Sequence, residues 1–358
     1  MSAQKTNLST RLQMAKMAPE LDLHDLPDIG KARVLVLSDG RTGGANRSIG
    51  LAEMLGIKDP EVVTLKPQYA NKFLRMLPVG MLYPDFEKLK HDVRNYDVLI
   101  GAGYQISRVL NVLKRGQPSL FTVALMRPAG KPARYDVVAV EQHDAYREAS
   151  NVVVTLGSTN RITKDRLGVE ADRWRKRLMS IRGFKVALLV GGTSRHGGFD
   201  VDSARAMVQA VTKPLKGNEA GLLITTSRRT GAEVTEAIEK ALKDSGVPYF
   251  LWTPEDMTAR DNPYLAYLAL ADAVVVTADS VSMVSEAASA GKPVYLWGEE
   301  KAVPKKFRRY YEALAKQGRA RWWNGQLTLR APAAGLMDTM MVAGFVRAKW
   351  NKRNQGKG

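Results

Sequence analysis

Short apolar runs alternate with longer mixed stretches from Lys31 almost to the end of the chain, and the spacing predicts the elements. Arg33–Leu37 (RVLVL) reads as a buried strand, Asn46–Leu55 as a helix and Val62–Leu65 as a second strand. Lys72–Leu89 is irregular or helical, with prolines. Asp97–Ile100 and Leu120–Leu125 are expected strands on either side of a helix at Gln105–Lys114, and Val137–Val140 and Val152–Val154 complete a first parallel sheet. There the alternation lapses. Residues 160–182 (NRITKDRLGVEADRWRKRLMSIR) are charged, helical and poor in apolar positions, as a linker would be. It restarts with a strand at Lys185–Val190 (KVALLV), a helix at Val201–Val211, a strand at Gly221–Thr225 and a helix at Ala232–Asp244. Tyr249–Trp252 reads as a strand and Pro263–Ala271 as a helix. Residues 305–317 and 333–350 are expected late helices.

Strands that are apolar on both faces and separated by helices belong to parallel sheets covered on both sides. The pattern therefore predicts an α/β protein of two Rossmann-like, doubly wound domains facing a cleft. The expected divisions are an N-terminal arm (1–32), a first domain (33–160), a linker helix (161–182), a second domain (183–330), and a C-terminal helix with a basic tail (331–358). A chain of 358 residues exceeds what one hydrophobic core usually supports, which agrees with two domains.

Ala271 to Trp297 is the most informative stretch. Its run of Val274, Val275 and Val276 stops at Thr277, and Ala278-Asp279-Ser280 opens a helix carrying Ser282 and Glu286. Gly291-Lys292-Pro293 ends that helix and launches a strand at Val294–Trp297. Such a βαβ unit sets a helix N-terminus at the carboxyl end of a parallel strand, where free amides and the helix dipole favour a phosphate. Glu286, two turns further on, is placed to accept from ribose hydroxyls. An ordinary helix capped by Asp and Ser would leave the same pattern.

Other polar turns end other strands. Leu37 to Arg47 contains Gly40, Gly43, Gly44 and Asn46, and Gly101-Ala102-Gly103 follows a later strand. Glycines there let a ligand approach the backbone, although neither turn matches G-x-G-x-x-G or the Walker pattern. Glu141-Gln142-His143-Asp144 places an imidazole at a strand end, a candidate general base that Asp144 or Glu141 could orient. Gly191-Gly192-Thr193-Ser194-Arg195-His196 is a further phosphate-sized turn, and Ser227-Arg228-Arg229-Thr230 offers two guanidinium groups to an anion. A satisfied structural histidine and solvated surface arginines are the competing explanations. All these turns fall at carboxyl ends of expected parallel strands, where open α/β sheets bind ligands.

Composition narrows the partners. With no cysteine, disulfides, thiolate zinc sites and a cysteine nucleophile are excluded. The four histidines are scattered, no D-x-D pair stands at a strand end, and no G-x-S-x-G elbow is present, so no metal and no resident cofactor is expected. No run approaches the ~20 apolar residues that span a bilayer, and residues 1–32 lack the apolar centre of a secretory signal; the expected location is cytoplasmic. The net charge is +18. Residues 301–358 carry 14 lysines and arginines against Glu312 and Asp338, a surplus of +12. With interleaved Phe307, Tyr310, Tyr311, Trp322, Trp323 and Trp350, that basic C-terminus suits an anionic membrane surface, at the inner face of the membrane. No nucleic-acid module signature appears, and the oligomeric state is not legible.

Taken together, SDGRTGG (38–44), EQHD (141–144), GGTSRH (191–196), SRRT (227–230) and TADSVSMVSEA (277–287) resemble one family over roughly residues 33–330. It is the bacterial and plant family named after the plant mitochondrial-fission factor "elongated mitochondria", similar to GT-B glycosyltransferases. The resemblance implies a nucleoside-diphosphate sugar as substrate on the second domain. Ser280, Ser282 and the helix start would hold the diphosphate, Glu286 the ribose, and Gly191, Gly192, Ser227, Arg228, Arg229 and Asp279 the rest of the donor pocket. Gly43, Gly44, Asn46 and Gly103 would face the acceptor, with His143 and Asp144 as the catalytic pair. The chain departs from the family's pattern in the first turn, where Gly44 and Arg47 stand in place of His and Gln, which shifts weight to His143. Metal-independent glycosyl transfer to an acceptor at the membrane is the leading expectation. The alternative is a non-catalytic, membrane-associated adaptor like the plant fission factor. A nucleoside-diphosphate-sugar epimerase is disfavoured, because it would need a dinucleotide fingerprint and a Tyr-x-x-x-Lys pair, and no such pair follows a suitable helix.

Overall fold

The computed structural model describes residues 29–69, 71, 74–192, 199–255, 262–328, 330 and 334–355. Residues 1–28 of the arm expected at 1–32, and the Thr193–His196 part of the second glycine turn, lie outside the described residues. The chain forms two compact units. One comprises the described residues up to Glu141, Ala145–Thr155 and the residues from Asp338 onward; the other comprises Gln142–Asp144 and Leu156–Met337.

The first unit holds β1 (Val34–Ser38), α1 (Thr42–Met54), β2 (Glu61–Thr64), α2 (Val79–Leu82), α3 (Phe86–Asp92), β3 (Val98–Ala102) and α4 (Tyr104–Gly116). β4 (Phe121–Leu125), β5 (Val137–Glu141) and β6 (Val152–Thr155) follow. The six strands are parallel in the order β2-β1-β3-β4-β5-β6, with Val36 opposite both Val62 and Ile100. Every residue of β1, β3, β4 and β5 is buried, as continuous apolar runs require. Alternation sends Leu35, Leu37, Leu99 and Val138 into the core under α4, and Val36, Ile100, Val123 and Val137 into the core under α1.

The second unit repeats the plan with α5 (Lys164–Arg175), β7 (Phe184–Leu189), α6 (Val201–Thr212), β8 (Ala220–Thr225), α7 (Ala232–Ser245) and β9 (Tyr249–Trp252). α8 (Tyr264–Leu270), β10 (Ala273–Thr277), α9 (Val281–Ser289), β11 (Val294–Trp297), α10 (Lys305–Lys316) and β12 (Ala320–Trp322) complete it. Its strands are again all parallel, ordered β12-β11-β10-β7-β8-β9. The charged stretch expected as a linker is a working part of this unit. Thr163 caps α5 by accepting from the Arg166 amide at 3.2 Å, and Trp174, Leu178 and Ile181 are buried in a core with Tyr267 and Val274.

The last helix, α11 (Asp338–Gln355), returns to the first unit. Val342, Ala343 and Val346 are fully buried beside Leu51, Ala52 and Val36, and the Trp350 ring meets Phe121 edge-on at 5.4 Å. Arg353 donates to the Leu120 carbonyl at 3.0 Å and pairs with Asp136 at 3.4 Å. Among the described residues no helix is long and apolar enough to cross a membrane.

Candidate functional site

In each sheet the first strand has neighbours added on both sides, which opens a crevice at its carboxyl end. In the second unit that strand is β7, flanked by β8 and β10. Three polar turns converge there. The Gly191 amide donates to Thr277 Oγ1 at 2.8 Å, and the Gly192 amide to Asp279 Oδ2 at 3.3 Å. Ser227 Oγ donates to the Gly191 carbonyl at 2.7 Å, as does the Thr230 hydroxyl, and the Arg229 guanidinium pairs with Asp279 at 2.9 Å. The glycines are what make this closure sterically possible. A Cβ on Gly191 would lie 2.3 Å from Asp279 Oδ1, and one on Gly192 would lie 2.2 Å from the Arg229 carbonyl carbon. Expected donor-site residues Gly191, Gly192, Ser227, Arg229 and Asp279 are thus brought together, and their first partners are one another; Arg228 stands exposed on the same turn.

α9 begins beside this cluster. Ser280 precedes it and makes no capping hydrogen bond with its side chain. The first-turn amides of a helix have no partner within it, and Ser282 is half-buried among them. The helix is firmly seated: buried Ser285 shares a 2.7 Å hydrogen bond with Tyr310 and accepts from the Ser158 amide at 3.1 Å. Tyr311 donates to the Ala278 carbonyl at 2.9 Å. Glu286 accepts from the Tyr264 hydroxyl at 2.5 Å. Burial first, then the Glu286 charge, pushes the Tyr264 hydroxyl well above its ordinary value, so it stays a donor.

A cavity of about 540 Å³ adjoins Thr277 and Asp279 and extends past Trp297 and Glu299 to Phe199 and Trp323. Gly192 and Asp279, both expected donor-site residues, line it; Phe199, Trp297 and Glu299 were not among the candidate site residues from the sequence. Gly298-Glu299 follows β11 as the other polar turns follow their strands, so the same rule would have found it.

In the first unit the crevice lies between β1 and β3. Ser38 Oγ accepts from the Gly40 amide at 3.0 Å and Asp39 from the Arg41 amide at 3.1 Å, shaping the turn into α1. Gly43, Gly44 and Asn46 sit at the start of α1, and a Cβ on Gly44 would lie 3.8 Å from that of Ala102 at the end of β3. Gly103 follows with a φ of 93°, open to glycine and strained for other residues, and starts α4. Arg47, one of the two residues that depart from the family's pattern, is buried in an ion pair with Glu141. It is therefore a structural charge, and Glu141 is occupied by it.

His143 and Asp144 occupy a short 3-10 turn. The buried His143 ring lies edge-on to Phe307 at 5.9 Å and tilted against Tyr310 at 5.6 Å, and its carbonyl accepts from Arg309 at 2.8 Å. Asp144 pairs with Lys306 at 3.1 Å. Both carboxylates expected to orient the imidazole have other ion-pair partners.

Two parallel six-stranded sheets, each with its switch-point crevice, place the molecule in the GT-B-like class of α/β proteins. Within that class the chain belongs to the family Mitochondrial fission ELM1, whose family model matches residues 42–350. It is 26% identical to the mitochondrial fission protein ELM1 of Arabidopsis thaliana, over 82% of this chain and 84% of that protein. An uncharacterised protein of Rickettsia prowazekii (strain Madrid E) is 27% identical over 83% of this chain and 92% of its own length. Among solved structures, UDP-GlcNAc 2-epimerase from Methanocaldococcus jannaschii superposes with a TM-score of 0.55 at 11% identity, covering 91% of this chain and 99% of that one. That likeness is one of fold alone.

Proposed function

We propose that the second unit binds a nucleoside-diphosphate sugar and that the chain is a metal-independent glycosyltransferase. The observation that supports this best is the start of α9: a helix N-terminus without a side-chain cap, at a switch point, beside Arg229, which pairs with Asp279 just before it, with Arg228 on the same turn. In this reading the diphosphate accepts from the first-turn amides and from Ser280 and Ser282. Glu286, oriented by Tyr264, accepts from the ribose. Gly191, Gly192 and Ser227 hold Asp279 and Arg229 in place, and the cavity at Trp297 and Glu299 takes the sugar. Transfer breaks the bond from the anomeric carbon to the diphosphate oxygen, and the electron pair leaves with the diphosphate. The helix terminus and the arginines stabilise that charge as it develops. An acceptor hydroxyl forms the new bond and gives its proton to a base, for which His143 beside Asp144 is the candidate. Gly43, Gly44, Asn46 and Gly103 make the acceptor side.

Two observations keep other readings in view. The Arabidopsis relative is named as a fission protein, and here Arg229 and Asp279 neutralise each other, which suits an adaptor with an idle site. The missing dinucleotide fingerprint disfavours only dinucleotide-dependent epimerases, since a UDP-GlcNAc 2-epimerase shares this fold. Thermal melts with uridine, guanosine, adenosine and thymidine diphosphates separate these readings. One of them is expected to raise the melting temperature, with a gain of about 2.7 kcal/mol at a hundredfold excess over Kd, and Glu286→Ala to abolish the shift. No shift with any diphosphate and no turnover of any nucleotide sugar would leave the adaptor reading. An altered sugar still attached to its nucleotide would mean epimerisation.

A further inference from the structure

We infer that the first unit carries a membrane-docking face, built from the Leu74–Met76 turn, α2, α4 and the loop after β4, which takes an anionic lipid bilayer. Of the large apolar side chains exposed among the described residues, Leu74, Met76, Met81, Tyr104 and Val112 belong to this one region. Met76, Met81 and Tyr104 are 67%, 55% and 50% exposed, far more than packing within the unit would leave. A cavity of about 530 Å³ joins α2, α4 and the loop after β4, lined by Val79, Gly80, Tyr104, Val112, Arg108 and Arg134. Arg108 fixes the turn to α4 by donating to the Leu77 carbonyl at 2.6 Å and the Met76 carbonyl at 3.2 Å.

Charge selects the occupant. Residues 71–83, 104–118 and 126–134 contain eight lysines and arginines and no aspartate or glutamate. Exposed Arg134 lines that cavity with Tyr104 and Val112, and Arg127 and Lys131 are exposed on the same loop. Protruding aliphatic side chains with a tyrosine, ringed by cations of one sign, match the boundary between acyl chains and anionic headgroups. Single-stranded nucleic acid would use several stacking rings, and Tyr104 is the one exposed aromatic residue of the face among the described residues. The basic C-terminal segment is less available than its composition suggests. Arg309, Arg319, Arg347 and Arg353 donate to the carbonyls of His143, Ala334, Met54 and Leu120, and Arg321 to Thr328. Tyr104 directly follows Gly103, so the face adjoins this unit's own crevice, where an acceptor carried in a bilayer would present itself.

The face stands independently of nucleotide binding, and the test keeps the two apart. The full chain is mixed with vesicles of phosphatidylcholine alone or with phosphatidylglycerol added, and partition is read by flotation at low and high salt. The protein is expected to float with the anionic vesicles only, and less at high salt. Met76→Glu with Met81→Glu should cut partition at least about tenfold, as should Arg134→Glu with Arg127→Glu. Melting temperature and any diphosphate-induced shift should stay unchanged in both, since all four side chains are on the surface. Lys349→Gln with Lys352→Gln in α11 should retain binding. The inference is overturned if the chain floats with neither vesicle, floats equally with both, keeps its binding in the Met76/Met81 variant, or loses it in the Lys349/Lys352 variant.

Discussion

Gly192 lies so close to the Ser227–Thr230 turn that any side chain there must push the Arg229 backbone aside. Gly192→Ala should therefore destabilise the second unit by about 1–3 kcal/mol, the usual cost of overpacking, and weaken diphosphate binding with it. Denaturant unfolding and the diphosphate melt measure both; an unchanged midpoint would show that the turn yields freely. Tyr264 predicts a pH effect shared with Tyr267 and Tyr311. Burial raises all three hydroxyls above their ordinary value of 10.0. The native state thus holds their protons where the unfolded chain has begun to lose them. Stability is full below pH 10 and should fall as pH rises beyond it, more gently in Tyr264→Phe. Thermal melts across that alkaline range check the slope. At this scale the sequence showed which residues end the strands and hid what they bond to. Gly191 and Thr277 meet across 86 positions, and Arg47 and Glu141 across 94, separations at which no local pattern operates.

Elements were more legible, because strands buried on both faces are written as unbroken apolar runs, as in VLVLS of β1 and AVVVT of β10. β12 escaped notice because it is a three-residue edge strand, ARW, too short to show a period. α5 misled for a different reason. It presents a narrow stripe, Leu167, Ala171 and Trp174, to the core, and most of the rest of its surface is charged, so its mean composition resembles a linker while its one tryptophan anchors it. Trp174→Ala should accordingly cost the second unit about 3–5 kcal/mol, the range for emptying a large aromatic site. A loss below about 1 kcal/mol would return the helix to the role of a connector.

The path of the whole chain carries a consequence that the elements alone do not. Having built the second unit through Met337, it comes back to the first with α11, whose sequence shows weak amphipathicity because its two sides have mixed tasks. Val342, Ala343 and Val346 fill the core over α1, Arg347 donates to the Met54 carbonyl at 3.0 Å, and Arg353 reaches Asp136 on the strand side. A late basic helix therefore reads as a tail from composition and acts as a wall of the first core. Each fully buried valine contributes roughly 1.5–3 kcal/mol. Ending the chain after Met337 removes two of them, the Trp350–Phe121 contact and the Arg353–Asp136 pair together, against a domain stability of about 5–15 kcal/mol. The truncated chain should show the first unit melting early or unfolded, while the second unit keeps its own transition and any diphosphate-induced rise. Calorimetry resolves the two, and a single unchanged transition would show that α11 is dispensable to the core it covers.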